Sequence, residues 1–286
     1  MEKKSCSQNY QSRFNNWKVI VAGKNIQKNE HVKPKEKVKV KIPKPKSLVG
    51  GGEVYQNDDV PYWYCRIKNG RDVFMHVYME DLTEEDLLYD SKTGRKRKFY
   101  TDSQKKFKGN ALEALKNKPK EGFRWIPVYE PSITPDGNIQ FIEDEKPLVG
   151  RSCSEWDQML KRYSPENESD ISHETTYFLV LLRWLKDGIA TLEELADYSE
   201  KIGHYRDSKD SKHELEKTGE RKFGGLCGFA GNTCKIAKNS DWMSGYSRLG
   251  GSFNSRSGLH SLTFLGRVKL PSIRYDDSVG LLELKK

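Results

Sequence analysis

The chain has 286 residues, of which 35% are hydrophobic and 32% are charged, and its formal net charge is +9. This length suits one large or two small domains, and the basic balance favours a polyanionic partner without separating nucleic acid from an acidic surface. The five cysteines are odd in number and contain no C-x-x-C pair, which argues against a disulfide-stapled secreted domain and a cysteine-rich zinc site.

The N-terminus continues from Met1 into polar residues, without the apolar stretch of a signal peptide. No segment reaches the roughly 20 apolar residues that a membrane helix needs. We therefore expect no membrane insertion, and a protein that stays in the cytoplasm or is packaged from there into a particle.

Residues 1–50 are predicted to form a basic flexible arm. Between residues 32 and 46, lysines alternate with Val, Ile and Pro, and this period of two places most lysines on one side of an extended segment. Such an arm can bind phosphates, but it also suits a solvated linker or a lysine-protected edge strand, since no aromatic residues interleave with the lysines. The candidate polyanion-binding residues of the arm are Lys33, Lys35, Lys37, Lys39 and Lys41.

Residues 51–110 are predicted to form a small region that contains a β-hairpin. Strand-like runs at 62–68 and 72–79 flank Asn69-Gly70, a strong signal for a hairpin turn, and Thr83 is a typical cap for a short helix. A further basic run can contact nucleic acid, although a charged hairpin arm is the commoner explanation. This run consists of Arg95, Lys96, Arg97 and Lys98.

Residues 111–286 show a different pattern, which predicts a mixed α+β domain. Short strands are predicted at 123–129 and 139–142, around a turn at 135–138. Helices are predicted after Ser152, across 177–185 and after Thr191, where Ser or Thr is followed three residues later by Glu or apolar residues recur with helical spacing.

The last quarter of the chain contains three glycine-rich motifs: GLCGFAGN at 225–232, RLGGSF at 248–253 and RYDDSVG at 274–280. Closely spaced glycines disfavour a helix, and the interspersed Leu226 and Phe229 anchor the first motif in a core. These motifs therefore predict a well-packed loop in which glycine and Asn232 adopt positive φ.

In this order the motifs resemble the closing part of the formylglycine-generating-enzyme (sulfatase-modifying factor) family. That family is a variant of the C-type lectin fold, which also carries the variable proteins of diversity-generating retroelements. The resemblance covers residues 222–282 and, more loosely, 150–206. It implies an α+β fold with a loop-rich, C-type-lectin-like domain over residues 111–286, in which helices flank a small twisted sheet.

The resemblance does not extend to the family's chemistry. Its oxidases bind copper through a cysteine pair shortly after the R-G-G-S motif, and this chain has no cysteine after Cys234. A soft thiolate pair is what holds Cu(I), and Ser255 and His260 cannot replace it. We therefore predict no oxidase activity, no catalytic residue and no cofactor.

Two other groups of residues could carry chemistry. Asp276 and Asp277 could act as paired carboxylates, but neighbouring aspartates on a turn more often accept hydrogen bonds from its backbone. The His and Asp residues between 204 and 213 are spaced like metal ligands, but on a helix such steps of three would spread them around the circumference. We therefore predict neither a catalytic pair nor a metal site.

A domain that keeps the framework glycines without the cysteine pair is predicted to bind a protein or another macromolecule. The polar and aromatic residues between 242 and 261 resemble antibody binding loops in composition, and the resemblance to retroelement variable proteins implies that they are diversified. The candidate ligand-binding residues are Trp242, Ser244, Tyr246, Arg248, Asn254, Ser255, Arg256, Ser257, Leu259, His260 and Ser261.

Two alternatives stay open. The segment 242–261 could be an ordinary solvated loop. The protein could instead be a nucleic-acid-associated or virion structural protein that acts through its lysine-rich arm. The sequence leaves the ligand and the oligomeric state open.

Overall fold

The computed structural model of this chain describes residues 41–46, 51–164, 168–196, 201–206, 214–239, 245–255, 265–268 and 270–285. By its internal contacts the chain divides into Met1–Val38 and Lys39–Lys286, and every described residue belongs to the second unit. The helices of the described residues are α1 (Glu84–Leu88), α2 (Asp102–Lys116), α3 (Cys153–Tyr163), α4 (Glu174–Lys186) and α5 (Leu192–Ala196). The strands are β1 (Glu53–Gln56), β2 (Trp63–Ile67), β3 (Asp72–Tyr78), β4 (Phe123–Pro127), β5 (Ser132–Ile133), β6 (Ile139–Gln140), β7 (Arg151–Ser152), β8 (Asp170–Ile171), β9 (Lys222–Phe223), β10 (Leu226–Cys227), β11 (Cys234–Lys238), β12 (Tyr246–Leu249), β13 (Leu265–Val268), β14 (Arg274–Tyr275), β15 (Ser278–Gly280) and β16 (Leu282–Glu283).

The first sheet is antiparallel, with strand order β1-β2-β3-β4. Its central hairpin turns at Asn69 and Gly70, whose φ angles are 59° and 75°, so the predicted hairpin is confirmed. Strand β4 comes from the predicted segment 111–286 and pairs with β3 from the segment 51–110. The two segments therefore share one sheet.

Both faces of this sheet are buried. Met75 and Ile126 contact the core around α4, whereas Phe74 and Trp125 belong to a second core that contains Trp156 of α3. Alternate residues of a strand point to opposite faces, so one sheet separates the two cores.

Helix α4 is buried on every side, because each residue from Glu174 to Leu185 is buried. The sequence predicts a helix here, which is confirmed, but it suggests one apolar face. Helices α1 and α2 pack against α4. A helix that is apolar all round lies inside a core, and α4 is the element around which the larger core forms.

Helix α2 was not predicted. Its N-cap Thr101 accepts a hydrogen bond from the backbone N–H of Gln104 at 3.1 Å, and the Gln104 side chain accepts from the Thr101 N–H at 3.3 Å. The sequence contains two signals for this helix: the capping box, and the helical spacing of Phe107, Ala111 and Ala114, which are buried. The predicted caps of α1 and α3, by contrast, are confirmed.

The second sheet has strand order β13-β12-β11-β15, and β15 runs parallel to β11 while the other pairs are antiparallel. The following residues tie this sheet to the rest of the fold, since Leu282 pairs with Ile171, and Leu284 exchanges backbone hydrogen bonds of 3.0 Å with Trp125. The described residues thus form a mixed α+β structure, as predicted, and its sheets are mostly antiparallel. No helix in the described part of the chain is long and apolar enough to span a membrane.

Candidate ligand-binding site

The predicted binding segment 242–261 surrounds strand β12. Strand β12 pairs with β11 through Lys238 and Tyr246, and with β13 through Leu249 and Leu265. The connection 239–245 therefore joins one end of β12, and the connection 250–264 joins the other end. These two ends lie about 10 Å apart, at roughly 3.4 Å per residue of strand. The segment 242–261 thus consists of strand β12 and parts of the two connections at its opposite ends.

Four of the candidate ligand-binding residues belong to the described part of the chain. Tyr246 is half-buried and packs against the core that contains Trp156, Arg248 and Ser255 are half-buried, and Asn254 is exposed. The candidates that lie outside the described residues are Trp242, Ser244, Arg256, Ser257, Leu259, His260 and Ser261.

The side chain of Arg248 is engaged inside the fold. Its Nε donates to Ser278 Oγ at 3.0 Å, its Nη2 donates to Asp277 Oδ1, and its guanidinium lies 4.6 Å from the centre of the Tyr275 ring. The side chain of Arg248 is 25% exposed and that of Asp277 is 20% exposed. Arg248 therefore joins β12 to the turn before β15 and supports the base of the connection 250–264.

The first residues of the connection 250–264 are held by hydrogen bonds. The fully buried Ser252 donates through Oγ to Asp277 Oδ2 at 2.8 Å, and its N–H donates to Ser255 Oγ at 3.2 Å. The Ser255 carbonyl in turn accepts from the Arg206 N–H at 2.9 Å. Asn254, between these bonded residues, is the exposed position of the turn.

Gly250 occupies a position that no other residue fits. Its φ is +79°, and a Cβ there would lie 2.7 Å from the Tyr177 hydroxyl oxygen. Its carbonyl accepts hydrogen bonds from the Tyr205 hydroxyl at 2.8 Å and from the Gly231 N–H at 3.1 Å. The predicted positive φ of the glycine-rich motifs is confirmed at this position.

A buried ion pair lies beneath the glycine-rich motif 225–232. Glu130 accepts hydrogen bonds from Lys235 Nζ at 2.9 Å, and also from Asn232 Nδ2 and Thr233 Oγ1. The side chains of Glu130 and Lys235 are 2% and 4% exposed. Asn232 has the predicted positive φ, at 35°. Sequence reasoning missed Glu130, because its partners lie more than 100 positions away.

His204 supports the same region from the other side. Its Nδ1 lies 3.0 Å from Glu216 Oε1, and its backbone carbonyl accepts from the Asn232 N–H at 2.7 Å. Burial disfavours the imidazolium, but the nearby Glu216 carboxylate and the Glu214 carbonyl, 3.0 Å from Nε2, outweigh burial and raise the pKa of His204. The other predicted metal-like positions lie outside the described residues, and the described residues contain no group of three or more potential metal ligands.

We expect the His204–Glu216 pair to make unfolding depend on pH. The pKa of His204 is higher in the folded protein than in the unfolded one. Protonated His204 therefore stabilises the fold fully below its unfolded pKa of about 6.5, and this stabilisation is lost as the pH rises through the folded pKa. The penalty of His204→Gln in the free energy of unfolding should therefore be larger at about pH 5.5 than at about pH 8. Denaturant unfolding at both pH values, with an NMR titration of the imidazole, measures this. A His204 pKa at or below the unfolded value would contradict it.

The four described cysteines are buried. They are Cys65, Cys153, Cys227 and Cys234. Burial raises the pKa of Cys153 to about 11 and the pKa of Cys227 to about 12. Since the thiolate is the nucleophile and the metal ligand, these environments disfavour cysteine chemistry.

Only some of the predicted polyanion-binding residues belong to the described part of the chain. Lys41 is exposed, as are Arg95, Lys96 and Lys98, whereas Arg97 is half-buried. The arm residues Lys33, Lys35, Lys37 and Lys39 lie outside the described residues.

No protein-family model and no curated protein matches this chain. Two solved structures are similar to it at low identity. The structure of CarF is 16% identical over 63% of this chain and 63% of its own length, with a TM-score of 0.29. Variable protein 1 of Treponema denticola is 14% identical over 83% of this chain and 100% of its own length, also with a TM-score of 0.29. The chain thus spans less than two thirds of CarF, and similarity at this TM-score does not define a shared fold.

Proposed function

We propose that this protein is a non-catalytic ligand-binding protein, and that the connection 250–264 is its binding element on a C-type-lectin-like scaffold. The observation that supports this proposal most is the construction of the base of the connection. Gly250 and Ser252 are fixed in a buried framework, while Asn254 is exposed two residues later. A rigid base with an exposed continuation is the arrangement by which scaffolds present binding loops.

The length of the connection supports the same proposal. Neighbouring antiparallel strands are usually joined by about two to five residues, and much longer connections are commonly functional. Residues 250–264 exceed that usual length, although Leu249 and Leu265 are directly paired. The segment contains four Ser residues together with one Asn, one Arg and one His, side chains that suit adaptable hydrogen bonding to a protein or another macromolecule.

The proposal that the protein is not an oxidase of the resembled family is supported by its thiols. Family oxidases need an activated cysteine pair, and burial raises the pKa of Cys153, Cys227 and Cys234 in this chain. A thiol whose pKa is raised is a poor nucleophile at neutral pH.

We further propose that codons 242–261 are diversified by a retroelement. Sequencing of the encoding locus across a population, together with its sibling genes, tests this. We expect substitutions at adenine-derived positions within these codons, with Gly250, Ser252 and codons 265–282 unchanged. A uniform sequence across 242–261 would remove the retroelement from the proposal and leave a binder of fixed specificity.

A further inference from the structure

A second exposed surface lies far from the connection 250–264 in sequence and on different elements. It is formed by the extended segment 96–100, which precedes α2. Lys96, Lys98 and Tyr100 are exposed, whereas Arg97 and Phe99 between them are half-buried. This alternation is that of a strand, so the three exposed side chains share one side. Tyr100 is 71% exposed, the largest exposure among the large hydrophobic residues described.

The inward side of this segment fixes it to the protein. The Arg97 side chain is 8% exposed and its Nη1 lies 3.2 Å from Asp90 Oδ2, while the Arg97 N–H donates to the Leu88 carbonyl at 2.7 Å. Phe99 packs against the larger core, and Lys108 Nζ lies 5.3 Å from the centre of its ring. The outward side chains therefore project from a backbone that is already ordered.

Both ends of the segment are fixed as well. The Tyr100 N–H donates to Oε1 of the buried Gln104 at 2.8 Å, which places Tyr100 immediately before the capped start of α2. At the other end, Lys96 is bridged to Tyr89, which is 44% exposed. Directly opposite residues of an antiparallel pair point to the same face, so Tyr89 lies on the same side as Lys96.

The sequence around this segment is strongly basic. Residues 89–108 contain eight Lys or Arg residues against two Asp residues. Of these two acids, Asp90 is engaged by Arg97 and by the backbone N–H groups of Lys92 and Thr93, at 3.0 and 2.8 Å. Asp102 is exposed in the first turn of α2. Within the described residues no carboxylate forms an ion pair with Arg95, Lys96, Lys98, Lys105 or Lys106.

We propose that Tyr89, Lys96, Lys98 and Tyr100 form a binding surface for single-stranded nucleic acid. The lysines neutralise phosphates, and the two tyrosine rings stack on bases. Tyrosines flank the lysine pair, and Lys96 and Tyr100 lie about 13 Å apart along an extended chain. Cations beside exposed rings match a strand that offers both phosphates and unpaired bases, whereas duplex DNA offers no unpaired base to stack. This proposal is independent of the function proposed for the connection 250–264.

Fluorescence anisotropy of the full chain with a labelled oligo(dT) of about 20 nucleotides tests this proposal, since single-strand sites span roughly 4–16 nucleotides. We expect Tyr100→Ala to weaken binding by about 5- to 100-fold, which corresponds to the loss of one stacked base. Tyr100→Phe keeps the ring and should bind like the wild type. The double substitution Lys96→Ala/Lys98→Ala should weaken binding and reduce the slope of log affinity against log salt by about 1.4.

The double substitution Lys146→Ala/Lys222→Ala is the matched control, because it removes the same charge from two exposed lysines on other segments. It should leave binding within about twofold of the wild type, since it touches no proposed phosphate contact. The proposal is overturned if oligo(dT) does not bind at low salt, or if the two double variants bind equally. It is also overturned if Tyr100→Ala has no effect while heparin binds as well as oligo(dT), which would define a polyanion surface without base stacking.

Discussion

Replacing Glu130 by alanine is expected to lower the free energy of unfolding by about 3–5 kcal/mol, because it leaves a buried ammonium without its carboxylate. Lys235 is 4% exposed, and the hydroxyl of Thr233 and the amide of Asn232 lose the same acceptor. Asn232 ends the motif that supports Gly250, Lys235 belongs to β11, and Thr233 lies in the short link between them. Denaturant unfolding of the two proteins at neutral pH measures the difference.

Two comparisons separate the effect of losing the ion pair from the general effect of removing a glutamate on the free energy of unfolding. Glu53→Ala, at an exposed position on the edge strand β1, should change the free energy of unfolding by no more than about 0.5 kcal/mol. The double substitution Glu130→Gln/Lys235→Met removes both charges and should recover part of the loss. If Glu130→Ala costs no more than Glu53→Ala, the ion pair does not stabilise this region.

Asp277→Ala is expected to lower the free energy of unfolding by about 2–3 kcal/mol, because the carboxylate accepts hydrogen bonds from three side chains. Its donors are Arg248, the fully buried Ser252 and the buried Ser278. Ser252 is among the first residues of the connection 250–264, so the substitution should also make this connection more sensitive to limited proteolysis. Unfolding curves and the rate of proteolytic cleavage measure the two effects.

The neighbouring aspartate provides the control for this prediction. Asp276 is exposed, and among the described residues no hydrogen bond or ion pair joins its side chain to another. Asp276→Ala should therefore leave both stability and the cleavage rate close to those of the wild type. Equal effects of the two substitutions would show that Asp277 does not hold the base of the connection.

Local signals in the sequence predict much of this fold. Neighbouring residues determine the Asn69-Gly70 turn, the caps at Thr83 and Ser152, and the helix across 177–185. The structure confirms each of these predictions. Helix α2 could have been predicted from the capping box at Thr101. The glycine-rich motifs likewise indicate tight backbone contacts, which Gly250 makes.

The partners of the candidate site could not be predicted, because they are distant in sequence. Glu130 lies more than 100 positions from the three residues that it binds. Asp277 was expected to accept from its own turn, yet its carboxylate also holds Arg248 and Ser252 from before β13. The sequence likewise does not reveal that Arg248, a candidate ligand-binding residue, lies against Tyr275. Such contacts depend on strand order, which a single sequence does not reveal.

The last residues of the chain complete pairings in both sheets, which matters while the protein is being made on the ribosome. Strand β15 pairs with β11, Leu282 pairs with Ile171, and Leu284 closes onto Trp125 of the first sheet. These residues leave the ribosome after the whole connection 250–264 has been made. A premature stop codon within the connection would remove strands that both sheets need, so the shortened chain could not reach the native packing. Only chains read through to the final strands can complete these pairings.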